Sequence, residues 1–148
     1  MKIRLIVESN WHGMAKRDGV AMWLMEYMKD DIPITRQGYV HAKDGTEAAG
    51  CLMALINGFH ILKKPCDVEI ITQCENLLNT MGNHWHIRWK SNDWRNSKGK
   101  EVRNKELWEM LMKKMEPHTY IIRGGHHDYQ SVMQTEVGKE FEKWSKGE

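Results

Sequence analysis

The chain has 148 residues, of which 41% are hydrophobic and 28% are charged, a balance that excludes an intrinsically disordered polypeptide. Its length fits one domain, residues 1–148, with a hydrophobic core of its own. The net charge is only +2, so recognition of a polyanion would require a local basic surface.

The cysteines and the apolar runs indicate the cellular compartment of the protein. Cys51, Cys66 and Cys74 form no CxxC pair and are typical of buried or free thiols in a reducing compartment. No apolar run reaches about 18 residues, the length that a membrane span needs. The first residues also lack the layout of a signal peptide. The sequence therefore predicts a cytoplasmic protein with no membrane partner.

The first half of the chain predicts four strands and one helix. Residues 2–7 combine alternating charged and aliphatic side chains with an apolar end, as in a central strand. Residues 20–28 and 34–42 follow after short connections, which favours an antiparallel meander. Residues 47–62 have helical periodicity, and residues 67–72 are rich in aliphatic side chains. The predicted order so far is βββαβ.

The second half predicts further helices and one more strand. A helix opens at residues 73–76, another contains Trp85, and a third begins near Asn104. Residues 119–122 read as a fifth strand, and a final helix begins at about Tyr129. This helix carries the apolar residues Val132, Val137, Phe141 and Trp144.

The segment from His84 to Trp108 is both aromatic and basic. It holds four of the seven tryptophans and seven basic residues against three acidic ones. Turn-forming residues dominate its middle, which predicts an exposed loop between two helices. Cations there would neutralise phosphates, and flat rings would pack on sugars or bases. The candidate nucleic-acid-binding residues are Trp85, Trp89, Lys90, Trp94, Arg95, Lys98, Lys100, Arg103 and Asn104.

The same composition is compatible with a structural role. Lysine-rich loops are commonly just solvated, and tryptophans at helical spacing commonly belong to a core. Residue types alone leave both interpretations open for this segment.

Four polar residues occur at positions where a catalytic site could form. Glu8 ends the first strand, Gln73 ends the fourth, Glu47 opens the first long helix, and Glu136 lies in the last helix. Sites in α/β proteins form beyond the carboxyl ends of strands, so neighbouring strands would bring Glu8 and Gln73 together. Clustered carboxylates bind Mg²⁺, and paired ions support phosphodiester cleavage. Taken singly, each glutamate is equally compatible with an ordinary surface position.

The order of the tryptophans adds a family resemblance. The spacing W-x3-W-x4-W followed by V-x-N-x2-L-W, from Trp85 to Trp108, resembles the substrate-handling helices and basic protrusion of ribonuclease H type 1. The resemblance extends from about Lys2 to Glu140 and includes the order of the elements. It implies an α/β fold with a five-stranded mixed sheet of order 3-2-1-4-5, only strand two antiparallel, flanked by helices.

The resemblance also implies a function and a metal site. The family cleaves the RNA strand of RNA/DNA hybrids with Mg²⁺ or Mn²⁺ held by an Asp-Glu-Asp-Asp set. The corresponding residues here are Glu8, Glu47, Gln73 and Glu136, so three of the four positions depart from the pattern. A family histidine before the last helix, associated with proton transfer or product release, corresponds best to His126, with His127 as the alternative.

The departures predict binding with reduced or absent cleavage. Exchanging Asp for Glu shifts a carboxylate by about 1 Å, and a misplacement of that size costs on the order of 10²-fold in rate. Gln73 is the larger departure because its amide carries no charge to hold divalent ions. Asp128 or Glu75 are conceivable substitutes for the lost carboxylate. Mg²⁺ or Mn²⁺ is then the expected cofactor if the chain is catalytic, and otherwise none.

Three functions follow as hypotheses. The first is a module that binds RNA/DNA hybrid or a related duplex with reduced or lost cleavage, and the second is an active ribonuclease H with a variant site. The third is a protein-interaction scaffold that uses the tryptophan-rich surface, with an unknown protein partner. A zinc site from His84, His86, His126 and His127 is disfavoured because the spacing matches no zinc-finger pattern.

Overall fold

The protein is built on one five-stranded sheet, seen in a computed structural model that describes residues 1–147. The sheet order is β3-β2-β1-β4-β5. β2 is antiparallel to β1 and β3, whereas β1, β4 and β5 run parallel. The predicted order and directions are confirmed. The strands are β1 (Lys2–Ser9), β2 (Arg17–Lys29), β3 (Ile32–Gly45), β4 (Asp67–Thr72) and β5 (Thr119–Arg123).

Within the described residues, five helices flank this sheet, and each predicted helix is present with slightly different ends. The side chain of Thr46 caps the first helix by accepting a hydrogen bond from the Ala49 amide, which fixes where the helix starts. The helices are α1 (Glu47–His60), α2 (Glu75–Gly82), α3 (Trp85–Ser91), α4 (Lys105–Met115) and α5 (Gln130–Ser145).

The two faces of the sheet carry separate cores because side chains alternate along each strand. Leu5 and Val7 of β1 lie in the larger core, with α1 and α4. Ile6, between them, lies in the smaller core under α5. Glu8 therefore points to the α5 face, in line with Ile6. This alternation places Glu8 on the face of the sheet that α5 covers.

The apolar residues of α5 do not all share one face. Val132 is 58% exposed, whereas Met133 is fully buried. Val137 is also buried, while Phe141 and Trp144 pack partly buried against the same core. Met133 and Val137 are four residues apart, so they share one face of the helix. The buried face of α5 therefore runs through Met133 and Val137.

Trp11 fixes the loop between β1 and β2. It is 1% exposed, and its indole nitrogen donates to the Arg17 carbonyl at 2.8 Å. A Cβ atom built on Gly50 of α1 would lie 2.3 Å from the ring, and one on Gly19 would lie 2.2 Å away. Glycines thus allow the indole to lie directly against backbone. The loop that follows Trp11 is held beside the start of α1.

This close approach predicts opposite effects for two glycine-to-alanine changes in helices. Gly50→Ala is expected to destabilise the protein by about 1–3 kcal/mol because the buried indole cannot move away. Gly138→Ala in α5 meets nothing within 4 Å and is expected to stabilise by about 0.5–1 kcal/mol. Chemical denaturation of both variants measures this. Equal effects of the two changes would contradict the role assigned to Trp11.

The three cysteines are buried free thiols, as predicted: Cys51, Cys66 and Cys74. Within residues 1–147, none of the helices combines the length and the apolar character needed to cross a membrane.

Candidate functional site

Glu8 and Gln73 lie side by side at the carboxyl ends of adjacent parallel strands. Val7 pairs with Thr72 in the register of β1 and β4, so the residues that follow them are neighbours. The Gln73 amide nitrogen lies 3.4 Å from Oε2 of Glu8. The predicted convergence of these two residues is confirmed. The parallel register, which is fixed by the strands, carries both side chains to one place.

Glu8 is a buried carboxylate with further nitrogen partners. The residue is 4% exposed. Its Oε2 lies 2.8 Å from Nε2 of His127, and its Oε1 lies 3.5 Å from the amide nitrogen of Gln134. A buried carboxylate needs such partners because desolvation of an isolated charge is costly. Side chains from β4, the β5–α5 loop and α5 therefore converge on one residue of β1.

The two histidines before α5 have different environments. His127 is buried against Glu8, and its Nδ1 accepts a hydrogen bond from the Tyr129 amide at 3.2 Å. His126 is exposed and pairs with Gln130 at 2.8 Å. The residue that best matches the family histidine by sequence thus faces solvent, and the alternative contacts Glu8.

Glu47 begins α1 and is outside the hydrogen bonds that surround Glu8. It is partly exposed. Desolvation raises the pKa of its carboxyl above the ordinary value, and Glu75 adds to the rise, whereas the Gly13 amide and His12 act in the opposite direction. The neighbourhood of Glu47 is formed by the β1–β2 loop and the start of α2.

Among the described residues, the hydrogen-bond partners of Glu8 do not include Glu136. Glu136 lies 3.9 Å from Lys139, and its charge raises the pKa of Tyr39 in β3 together with burial of that phenol, which is the larger cause. Two residues apart on a helix differ by about 200° in direction, so Glu136 and Gln134 occupy opposite flanks of the buried face. Gln134 therefore takes the place near Glu8 where Glu136 was expected.

The four residues in this arrangement do not fit a pair of divalent ions. Divalent ions need converging oxygen ligands, but nitrogen atoms of Gln73, His127 and Gln134 surround Glu8. Among the residues that the structure describes, no three His, Cys, Asp or Glu side chains are placed to hold a metal ion together. Asp128, considered as a substitute carboxylate, is paired with Arg4 at 3.3 Å.

A groove of about 620 Å³ runs from the start of α1 to the start of α4. Glu47 and Gln73 line one end, and Arg103 and Asn104 line the other. Asparagine side chains at 76, 79 and 96 lie along it and offer both donors and acceptors. Glu8 and Glu136 are not part of its lining. We call this cavity the central groove.

The helix α3 is attached to the sheet by His86. This residue is 1% exposed, and its Nε2 lies 2.9 Å from the hydroxyl of Tyr120 in β5. Burial lowers the pKa of His86, which keeps the ring neutral in this apolar setting. The attachment orients Trp85 and Trp89, which flank His86 on the same short helix.

The tryptophans of this region divide into core and surface residues. Trp94 and Trp108 are buried, and Trp89 packs edge-on against Trp108 with ring centroids 6.2 Å apart. Trp85 is 39% exposed. The prediction that flat rings face a nucleic acid therefore has its best candidate in Trp85, while Trp89 lines the central groove from a partly buried position.

Residues 92–104, which we call the basic loop, are ordered by their own hydrogen bonds. The Val102 amide donates to the Trp94 carbonyl at 2.9 Å, which anchors the base of the loop. The side chain of Asn96 accepts from the amides of Lys98 and Lys100 at 2.9 and 3.1 Å. Five predicted basic residues of the region have exposed side chains: Lys90, Arg95, Lys98, Lys100 and Arg103.

Sequence reasoning did not identify Gln134 or the groove asparagines. The signal for Gln134 was available in the phase of α5, since a buried face through Met133 and Val137 places residue 134 on one flank of that face. Nothing in the sequence linked these asparagines, because Asn76 and Asn79 lie in α2 and Asn96 lies in the basic loop.

Residues 14–129 match the RNase H family. A ribonuclease H of Thermus thermophilus is 35% identical over 86 residues, covering 55% of this chain and 52% of that protein. A ribonuclease H of Francisella tularensis subsp. novicida is 38% identical over 78 residues, covering 53% of this chain and 51% of that protein. The chain spans about half the length of these curated relatives.

Solved structures share the fold at low sequence identity. LC9-RNase H1, described as a type 1 RNase H with the type 2 active-site motif, superposes with a TM-score of 0.74 at 16% identity, covering 97% of this chain and 80% of that one. LC11-RNase H1, solved in complex with RNA/DNA hybrid, superposes with a TM-score of 0.62 at 12% identity, covering 95% of this chain and 97% of that one. Because the family match spans residues 14–129, which is most of the chain, this protein belongs to the ribonuclease H family.

Proposed function

We propose that residues 1–148 form a single ribonuclease H-like domain that binds RNA/DNA hybrid or a related duplex, with metal-dependent cleavage of the RNA strand reduced or lost. The observation that carries this proposal is the contrast between two neighbouring regions. The central groove and the exposed cations of the basic loop are intact, whereas Glu8 is surrounded by nitrogen donors.

The binding half of the proposal rests on charge and shape. Lys98, Lys100 and Arg103 are exposed on the basic loop. Asn96 holds the backbone amides of Lys98 and Lys100, and Arg103 lines the central groove. Phosphate contacts from such cations release counterions and give affinity that depends on salt. LC11-RNase H1, which shares the fold, was solved with RNA/DNA hybrid. A hybrid is therefore the first ligand to test.

The chemical half rests on the partners of Gln73. Its amide lies between Glu8 and the Gly125 backbone, with hydrogen bonds to both, and it has no charge to offer a cation. If the chain does cleave, Mg²⁺ or Mn²⁺ is the cofactor; otherwise the proposal requires none.

The second candidate is an active ribonuclease H with a variant site. Glu47 favours it, since this carboxylate matches its family position, is partly exposed and lines the central groove. The scaffold hypothesis has less support, because Trp94 and Trp108 are buried and do not form a surface.

One experiment tests binding and the role of Gln73 together. A labelled RNA/DNA hybrid is titrated in EDTA at several salt concentrations, and log affinity is expected to fall linearly with log salt. Cleavage by Gln73→Asp with Mg²⁺ or Mn²⁺ is then compared with the natural chain. Cleavage that appears only in Gln73→Asp would identify Gln73 as the disabling residue. Binding that is absent or independent of salt would contradict the proposal.

A further inference from the structure

The orientation of the Gln73 amide is fixed by the backbone of Gly125. The Gly125 amide donates to Oε1 of Gln73 at 3.1 Å, and Nε2 of Gln73 donates to the Gly125 carbonyl at 2.8 Å. A backbone amide only donates and a carbonyl only accepts, so the side chain has one consistent orientation. Its amino group, rather than its oxygen, is therefore the end that faces Glu8 at 3.4 Å.

The tautomer of His127 is fixed in the same way. Nδ1 accepts from the Tyr129 amide at 3.2 Å, so the ring proton is on Nε2. Nε2 then donates to Oε2 of Glu8 at 2.8 Å, between side chains that are 0% and 3% exposed. Gly125 and His127 both belong to the loop between β5 and α5, residues 124–129.

Three N–H donors therefore converge on one buried carboxylate. They come from the end of β4, from the β5–α5 loop and from α5, where Gln134 lies 3.5 Å from Oε1 of Glu8. Hydrogen bonds to an ionised carboxylate are stronger than neutral ones, and here they join segments far apart in sequence. Gly125 adopts φ of +89°, a conformation suited to glycine, which lets the loop turn towards Gln73.

We propose that Glu8, Gln73, His127 and Gln134 form a metal-independent clamp that fixes the β5–α5 loop to the sheet where the family holds divalent ions. The N–H donors take the place of the cations as partners of the β1 carboxylate. These donors already satisfy Glu8, so the loop needs no divalent ion to keep its conformation. A cation at Glu8 would first have to displace them. This inference concerns the free protein and goes beyond the proposed function.

Amide hydrogen exchange of the full chain, measured by NMR without nucleic acid, tests the clamp. In EDTA, the Gly125 amide is expected to be protected, and added Mg²⁺ is expected to change its exchange rate by less than about twofold. Gln73→Ala removes the acceptor and is expected to raise the rate by about tenfold or more. Gln37→Ala, an exposed glutamine in β3, is the matched control and is expected to leave the rate unchanged.

Two results would overturn the clamp. One is a Gly125 amide that becomes protected only when Mg²⁺ is added, and the other is unchanged protection in Gln73→Ala. Gln73→Met, which keeps the length of the side chain without hydrogen-bonding groups, is the second variant in case alanine perturbs the fold, and it is expected to raise the rate equally. Because no nucleic acid is present, failure here leaves the proposed binding function to its own test.

Discussion

Replacing Lys98, Lys100 and Arg103 together with alanine is expected to weaken RNA/DNA hybrid binding by on the order of 10²-fold at about 0.1 M salt. The slope of log affinity against log salt should fall by about 3, since each lost phosphate contact removes about one unit. The three side chains are exposed on a loop ordered by Asn96, so their removal leaves the core untouched. Fluorescence anisotropy across a salt series measures both quantities.

A matched control changes the same charge elsewhere. Lys29, Lys63 and Lys64 are exposed and lie at the far ends of β2 and α1, away from the central groove. Their triple alanine variant is expected to change affinity by only a few-fold through net charge, with nearly the same salt slope. Equal losses in both triple variants would contradict a specific role for the basic loop.

His127→Ala is expected to lower the free energy of unfolding by about 3–5 kcal/mol. The change removes the hydrogen-bond donor closest to the Glu8 carboxylate, which is 4% exposed and has little access to water as a substitute. It also removes the acceptor of the Tyr129 amide at the start of α5. Urea denaturation monitored by circular dichroism measures the loss.

The adjacent histidine supplies the control for that prediction. His126 is exposed and contacts Gln130, so His126→Ala is expected to change stability by less than about 0.5 kcal/mol. Adding Glu8→Gln to His127→Ala is expected to recover part of the loss, because an amide is less costly to leave partly unpaired than a carboxylate. A double variant as unstable as His127→Ala alone would show that the loss does not come from Glu8.

The fold could be predicted from the sequence because its signals are local. Alternation in β1, the aliphatic run of β4 and the periodicity of α1 each require only a few consecutive residues. The strand order came from the family resemblance rather than from these patterns. The adjacency of Glu8 and Gln73 followed once β1 and β4 were expected to be neighbours.

The site was less predictable because it depends on helix phase and on loop conformation. Glu136 was chosen from the family resemblance, whereas the buried face of α5 through Met133 and Val137 places Gln134 beside Glu8. The choice between His126 and His127 depends on the turn at Gly125, which sequence patterns do not describe. The hydrogen bonds between Gln73 and Gly125 join residues 52 positions apart, so no local sequence pattern could indicate them.

A chain with these features is expected to bind hybrid with reduced or lost cleavage, and one measurement tests binding and cleavage together. A hybrid with a labelled RNA strand is incubated with saturating protein in Mn²⁺, complex formation is measured by anisotropy, and RNA integrity is measured on a denaturing gel. Glu47→Gln, which neutralises the carboxylate lining the central groove, runs in parallel. The predicted result is complex formation with the RNA left intact, or cut only slowly, by the natural chain. RNA that the natural chain cuts rapidly and that Glu47→Gln spares would contradict reduced or lost cleavage and establish an active ribonuclease H with a variant site.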